Sequence, residues 1–304
     1  MIRELTPELA KIAHDELHEN PKQIHNDLHQ IKEWISKQSH LKARTDDQWL
    51  VAILRGSKFS LEKAKRKLEL YYVLRTTAPD ITLKLRPTKS EFINFLKLGT
   101  CVILPKPKTG VFPRVILLRP GAYDPQEHSV ADLLCVFYYL VQILVVEDDV
   151  ATVLGTKIVV DYEGVTMNHV AQANPSMTKK MISVCQESIP LRLKGSHHIN
   201  LPMGAEVIFS VVSRFLNEKA KERLKIHKSS EELMEFLPKE IIPANYGGKG
   251  GNIKDIVDEW VKKIKEYKTW MQKEETLGTD ESKRYNMPTA ANDVDGSFRK
   301  LDID

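Results

Sequence analysis

Short apolar segments rich in β-branched residues alternate with helical segments after Pro87, and this alternation constrains the fold more than any other feature. CVILP and RVILLRP are joined through KPKTGVFP, which is typical of a hairpin-like turn. TKIVVDYEG, PLRLKGSHHIN and LKIH follow, separated by segments of helical periodicity. This order indicates an α/β domain with a largely parallel sheet. Because TKIVVDYEG is apolar almost without a break, we expect its strand to be buried on both faces.

Helical spacing dominates the first part of the chain. One predicted helix is capped by Thr45 and ends at Gly56, and the next is capped by Ser60. After Gly247 we expect one charged helix and a polar tail that is disordered or loosely docked. The predicted division is a helical domain at 1–85, an α/β domain at 86–250, and a C-terminal helix with its tail at 251–304.

Composition excludes some classes of protein. A formal charge of +4 on 304 residues is too small to indicate nucleic-acid binding. The scattered cysteines Cys101, Cys135 and Cys185 form neither a disulfide framework nor a metal-ligand spacing, so we expect a reducing, cytoplasmic compartment. The first residues are charged throughout, which argues against a signal peptide.

An apolar run from Val130 to Val146 is the one segment that suggests a membrane span. It has only 17 residues, whereas a spanning helix needs about 20. Asp132 and Gln142 also interrupt it. We therefore predict a helix buried within the protein, and no transmembrane segment.

The segment MGAEVIFSVVSRFL, residues 203–216, is more apolar than an ordinary surface helix. Glu206, Ser210 and Ser213 form one narrow polar stripe on it. Basic residues flank it, with Arg192 and Lys194 two positions apart on one strand face. Such a helix is either a lid over a lipid pocket, pressed to an anionic membrane, or a core helix with charged neighbours.

No catalytic or metal-binding constellation is present in the sequence. His197 and His198 are adjacent on a predicted strand and therefore point to opposite faces, which does not make a ligand pair. Asp161 and Glu163 share a face at a strand end, but no nucleophile motif or phosphate loop accompanies them. We expect that the protein is not an enzyme and that it binds neither a cofactor nor a metal.

Several motifs resemble the CRAL-TRIO (Sec14-like) lipid-binding family. They include LRGSKFSLEKAKRKLELYY, VVDYEGVTMNHV, SIPLRLKGSHHIN, LNEKAKERLKIH and LPKEIIPANYGG. The resemblance covers roughly residues 40 to 250. It implies an N-terminal helical bundle, then an α/β domain with a mostly parallel sheet, a hydrophobic cavity and a mobile gate helix at about 200–216. The gate would present Val207, Ile208, Val211, Val212 and Phe215.

The resemblance also implies a basic cleft for phosphatidylinositol bisphosphate headgroups. PLRLKG and EKAKER match the segments that supply its cations in tocopherol-transfer members of the family. The carried-over residues are Arg192, Lys194, Lys219 and Arg223, and LRGSK adds Arg55. Four such cations could neutralise a doubly phosphorylated inositol, because Arg binds phosphate through two hydrogen bonds.

The same resemblance suggests residues for a lipid pocket, although each could equally be an ordinary core residue. They are Leu134, Phe137, Tyr138, Val141, Val160, Val165, Met181, Val184, Cys185 and Leu193.

These features support a cytoplasmic, peripherally membrane-associated carrier of a small hydrophobic lipid. Tocopherol, retinoid, carotenoid and phospholipid remain open as cargo. The alternative is a trafficking module that phosphoinositides recruit without lipid transfer, whose tails bind a partner such as clathrin-coat machinery. An enzyme acting on the bound lipid is the third hypothesis.

Overall fold

A computed structural model describes residues 2–202, 209, 212–214 and 216–284, with the side chains of 186 and 187 excepted. Helices form most of the chain before residue 100. Local capping explains where several begin: Thr6 accepts from Leu9 N with Pro7 in the first turn, and Ser60 accepts from Lys63 N. The helices are α1 (Pro7–Leu17), α2 (Ile24–Ser36), α3 (Asp47–Gly56), α4 (Leu61–Thr77), α5 (Pro79–Thr82) and α6 (Ser90–Lys97).

A mixed sheet forms the centre of the molecule. Its strands are β2 (Cys101–Ile103), β3 (Arg114–Leu118), β4 (Thr156–Asp161), β5 (Leu193–Ile199) and β6 (Leu224–Ile226), in the order β2-β3-β4-β5-β6. The β2–β3 pair is antiparallel and the remaining pairs are parallel. The hairpin and the largely parallel sheet expected from the sequence are therefore confirmed. A separate pair joins β1 (Leu41–Lys42) to β7 (Gly278–Thr279) near the two ends of the chain.

Helices connect the parallel strands and complete the fold. They are α7 (Val130–Glu147), α8 (Asp149–Leu154), α9 (Met167–Gln172), α10 (Pro175–Ile182) with a π-helical extension (Ser183–Ser188), α11 (Glu218–Glu222), α12 (Ser230–Leu233), α13 (Ile253–Glu266) and α14 (Lys268–Glu274). The strand order follows the chain order, so right-handed crossovers place the connections on one face of the sheet. We call this the crossover face. The other face lies beneath Leu233, Leu237 and Ile242.

Helix α7 is the buried helix that the apolar run predicts. A capping box of Ser129 and Asp132 begins it. Among the described residues it alone is long and apolar enough to cross a membrane, yet 83% of it is buried in the protein. Tyr138 stacks on Tyr71 of α4 with the ring centroids 5.8 Å apart, which fixes α7 to the helical part of the chain.

Three details of the fold differ from the sequence-based predictions. Asp46, not Thr45, caps α3, because its carboxylate accepts from Trp49 N at 3.1 Å. Neither face of strand β4 is fully buried, since Lys157 on one face and Ile158 and Val160 on the other remain half-buried. The charged C-terminal helix is two helices, α13 and α14, separated at Tyr267.

The beginning of the polar tail is firmly docked rather than loose. Glu274 is completely buried and pairs with Arg44 and Arg75 of the helical part. One hydrophobic core contains residues from Ile24 to Met271. It joins helices of the predicted N-terminal domain to the sheet and to the C-terminal helices, and the predicted three-part division remains a prediction.

Candidate functional site

The crossover face of the sheet carries several apolar side chains that are not fully buried, interspersed with buried residues such as His198 and Ile116. Strand pairing aligns Leu118 with Val160, Val160 with His198, and His198 with Ile226. Leu118 and Val160 are half-buried, and Ile226 is 53% exposed. The adjacent row contains Ile158, which is also half-buried.

The opposite face provides a direct comparison within the same strands. Leu117, Val159 and Ile199 alternate with the residues above and are at most 2% exposed. Apolar side chains that a sheet leaves only half-buried are candidates for contact with an apolar ligand.

The predicted pocket residues separate into two groups in the structure. Val160, Val165, Met181, Cys185 and Leu193 are half-buried. The others, Leu134, Phe137, Tyr138, Val141 and Val184, are at most 4% exposed. Tyr138 lies against Tyr71 and Arg75, so its ring belongs to the interface between α7 and α4. The half-buried group therefore provides the better candidates for ligand contact.

Only part of the predicted gate segment falls within the described residues. Val207, Ile208, Val211 and Phe215 lie outside them, whereas Val212 is helical and half-buried. Phe209 is also described, and its ring packs edge-on against His198 with the centroids 5.0 Å apart. A second ring contact, at 6.4 Å, joins Phe209 to Tyr162. These contacts place this part of the segment over the crossover face.

A cluster of basic side chains lies where β5 begins. Lys194 Nζ and Arg192 Nη1 lie 3.0 Å and 3.3 Å from the same carboxylate oxygen, Oε2 of Glu16. Arg223 donates a hydrogen bond of 2.6 Å to the carbonyl oxygen of Leu193, the residue between Arg192 and Lys194. Burial lowers the pKa of Arg192, Glu16 opposes that shift, and the nearby charge of Arg223 adds to it. We call Arg192, Lys194 and Arg223 the basic cluster.

A local irregularity in the strand positions the basic cluster. The β4–β5 register shifts so that Thr156 pairs with Leu193 and Lys157 with Gly195, which leaves Lys194 as the additional residue of a bulge. Bulges redirect side chains at functional sites. Gly155 allows the backbone of Arg192 to approach closely, because a Cβ at position 155 would lie 2.3 Å from Arg192 O. Its φ of +84° also favours glycine.

Two of the predicted phosphoinositide ligands differ from the rest in their surroundings. Lys219 is half-buried in α11, one turn before Arg223, and it has a partner of its own. Arg55 is only 1% exposed and forms two hydrogen bonds to Glu19, at 2.9 Å and 3.0 Å. A third bond, at 2.9 Å, joins it to Asp149 of α8. The structure thus does not bring Arg55 into the basic cluster, and its guanidinium fastens the end of α1 to α8.

The adjacent histidines point to opposite faces, as the strand geometry predicts. His197 hydrogen-bonds to His227 at 2.9 Å, and His198 contacts the Ser196 and Tyr162 hydroxyls on the crossover face. Asp161 accepts from Asn200, directly after β5, and from Tyr246, in the segment between α12 and α13. Within the part of the chain that the structure describes, no three potential metal ligands come together.

The sequence-based reasoning missed the acidic partner of the basic cluster. Glu16 lies in α1 and is separated from Lys194 by 178 residues. Helical periodicity places its side chain near the solvent-exposed side of α1, but no local pattern indicates which distant residues it meets. Its hydrogen bond from Lys194, and the charges of Lys194 and Arg192, lower the pKa of Glu16 below its ordinary value.

The chain is similar in sequence to known proteins over most of its length. Residues 111–248 match the CRAL/TRIO domain, and residues 20–92 match a Pinta-like UBA domain. An alpha-tocopherol transfer protein-like protein of Mus musculus is 30% identical over 254 residues, which cover 82% of this chain and 72% of that protein. Clavesin-2 of Rattus norvegicus is 26% identical over 257 residues, covering 80% of this chain and 75% of that protein.

A solved structure gives a weaker match. The crystal structure of Sfh5 is 15% identical, with a TM-score of 0.46, and the match covers 83% of this chain and 90% of Sfh5. The mouse protein matches most of the chain, and the domain match covers strands β3 to β6, their connecting helices and the basic cluster. The chain belongs to the CRAL/TRIO family of lipid-binding proteins.

Proposed function

We propose that this protein carries a small hydrophobic lipid on the crossover face of its sheet, and that it docks on membranes containing phosphatidylinositol bisphosphate through the basic cluster. No bond in the cargo is made or broken. The observation that carries the proposal is that both features meet at the start of β5. The half-buried Leu193 lies between Arg192 and Lys194 in the chain.

The crossover face supports the cargo-binding part of the proposal. Its apolar side chains would gain about 25 cal/mol for each Å² that a ligand removes from water. Met181 and Cys185 are half-buried on the helical connection between β4 and β5, and such sulfur-containing side chains adapt to irregular ligand shapes. The segment containing Phe209 would act as the gate over this face, and its opening would release the cargo.

The basic cluster supports the docking part of the proposal. Arg192, Lys194 and Arg223 have already been brought together by the strand bulge and by α11. Each cation near an anionic membrane contributes about 1 kcal/mol to binding. The tocopherol-transfer-like relative is named for lipid transfer, and by analogy this protein would act in the cytoplasm as a peripheral membrane protein.

Vesicle binding tests the docking part. Sedimentation would compare phosphatidylcholine vesicles with and without phosphatidylinositol bisphosphate. We expect Lys194→Gln to weaken binding to the bisphosphate vesicles roughly fivefold, and Arg192→Gln to do the same. Lys254→Gln removes an exposed charge from α13 and serves as the matched control. Equal binding of the wild-type protein to both vesicles would refute phosphoinositide docking.

Lipid extraction and native mass spectrometry of the purified protein test the cargo part. We expect one hydrophobic compound per chain, and a reduced occupancy in Val160→Asp. Transfer of that compound between vesicles would then distinguish a lipid carrier from the alternative, a trafficking module that phosphoinositides recruit without lipid transfer (the recruitment module). Binding to bisphosphate vesicles without retained lipid and without transfer would favour the recruitment module.

A further inference from the structure

An internal carboxylate occupies the position between the cations at which a bound anion would be held. Glu16 Oε2 contacts both Lys194 Nζ and Arg192 Nη1, at 3.0 Å and 3.3 Å. The Glu16 side chain is 47% exposed, so a competing anion can reach this pair from solvent. The contact therefore resembles the binding of a single anionic group to the cluster.

The helix that carries Glu16 is attached separately from the main core. Leu9, Ala13 and Leu17 of α1 form a small cluster of their own with Val153 of α8. Helix α1 also precedes both segments that match family domains, 20–92 and 111–248. Glu16 lies in the last turn of α1, where the helix dipole disfavours a negative charge. The two cations compensate for this unfavourable position.

We propose that Glu16 determines which membrane headgroups the basic cluster accepts, by excluding lipids of single negative charge. This proposal rests on the docking function proposed above. A headgroup of charge −1 that replaced Glu16 would restore only the charge already present. It would also compete with a carboxylate that the fold holds at a high effective concentration.

A bisphosphorylated headgroup is different in both respects. Each of its phosphomonoesters carries a charge of about −1.5 to −2 and three acceptor oxygens. One phosphate can bind Arg223 without displacing Glu16, while the other competes with the carboxylate for Arg192 and Lys194. The selectivity arises from the internal competitor, and a basic cluster without Glu16 would bind any anionic surface.

The test compares Glu16→Gln with the wild-type protein on two kinds of vesicle. One contains phosphatidylserine in phosphatidylcholine, and the other contains phosphatidylinositol bisphosphate at equal total charge. We expect the substitution to raise affinity for phosphatidylserine vesicles about fivefold, because one exposed ion pair contributes up to about 1 kcal/mol. Affinity for bisphosphate vesicles should rise less, because the phosphate bound to Arg223 does not depend on displacing Glu16, so the preference for bisphosphate vesicles should fall. Glu8→Gln, an exposed position on the same helix, is the control and should leave the ratio unchanged.

The outcomes separate this proposal from the docking proposal. If the wild-type protein prefers bisphosphate vesicles and Glu16→Gln leaves the ratio unchanged, only the role of Glu16 is refuted. If the wild-type protein shows no such preference and Lys194→Gln has no effect, both proposals are refuted. Urea unfolding of each variant shows whether a change in binding reflects a loss of folded protein.

Discussion

Glu274 Oε2 lies 3.1 Å from Nη1 of Arg44, although 230 residues separate them in the chain. The other oxygen of the same carboxylate accepts from the Tyr71 hydroxyl at 2.9 Å and lies 3.4 Å from Arg75 Nη1. Glu274 and Arg75 are at most 1% exposed. A fully buried carboxylate thus holds the C-terminal helix against the helical part of the protein.

Removing this carboxylate should be among the most damaging substitutions in the chain. Glu274→Ala leaves Arg75 buried without its acidic partner, and breaking a buried pair costs about 3–5 kcal/mol. Urea unfolding should show this loss in the free energy of unfolding. Glu259→Ala, an exposed position on α13, should change it by less than about 0.5 kcal/mol. Similar unfolding midpoints for the two variants would contradict the structural role of Glu274.

Arg55 should matter for stability and not for membrane binding. Arg55→Met leaves Glu19 and Asp149 without their shared cation, so we expect a loss of about 3–5 kcal/mol. Vesicle affinity per folded molecule should remain unchanged. In the double variant with Glu19→Met the loss should be smaller than the sum of the single losses, because the uncompensated carboxylate is gone. If a stably folded Arg55 variant bound bisphosphate vesicles more weakly, Arg55 would contribute to headgroup binding and this prediction would be wrong.

Acid should destabilise the fold through the histidines of β5. Burial is the main cause that lowers the pKa of His198 to about 4. Because the unfolded-state pKa is near 6.5, the unfolded chain binds a proton first as the pH falls. The neutral His198 imidazole therefore makes its full contribution to the free energy of unfolding above about pH 6.5. That contribution is lost progressively as the pH falls to about 4.

The expected loss from His198 is about 2 kcal/mol between pH 7 and pH 5. Urea unfolding at several pH values measures it, and His198→Gln should remove this part of the pH dependence. His197, whose pKa burial also lowers to about 4, retains its own contribution in that variant. His29→Gln, on the exposed side of α2, is the control. A pH profile unaltered by His198→Gln would show that this imidazole is not the group that titrates.

Gly155→Ala should disturb the basic cluster through the backbone. The new Cβ would meet Arg192 O at 2.3 Å, in addition to the strain of a positive φ. Gly110→Ala is a matched control, because its φ of +68° is similar and nothing lies within 4 Å of its Cβ. We expect about 1 kcal/mol of destabilisation at Gly110 and at least about 2 kcal/mol at Gly155. Equal losses at the two positions would show that the backbone near Arg192 moves freely.

Much of the fold could be predicted because its signals are local. The β-branched runs predicted the strands, Ser60 predicted the start of α4, and the apolar run predicted α7. The errors also have local causes. Asp46 and Thr45 are both good capping residues, and only the geometry of the turn selects between them. The continuous apolar run of β4 does not reveal that Ile158 and Val160 remain half-buried.

The candidate site was predictable only in part, because it depends on distant contacts. The spacing of Arg192 and Lys194 indicated a shared face, and the family resemblance added Arg223. Nothing in the sequence around Glu16 or Glu274 indicates a basic partner nearly 200 residues away. The family motif also carried Arg55 into the predicted cleft, and its burial against Glu19 and Asp149 depends on contacts that no local pattern indicates.

The pairing of the two chain ends has a consequence for synthesis. Arg75 meets Glu274 across 199 residues, and Leu41 finds its strand partner only at Thr279. At 5–20 residues per second, a ribosome needs roughly 10–40 s to make that intervening chain. During this time the nascent N-terminal helices hold an arginine that lacks its counter-charge. The segment from Leu41 to Arg75 is therefore among the last to reach its final structure.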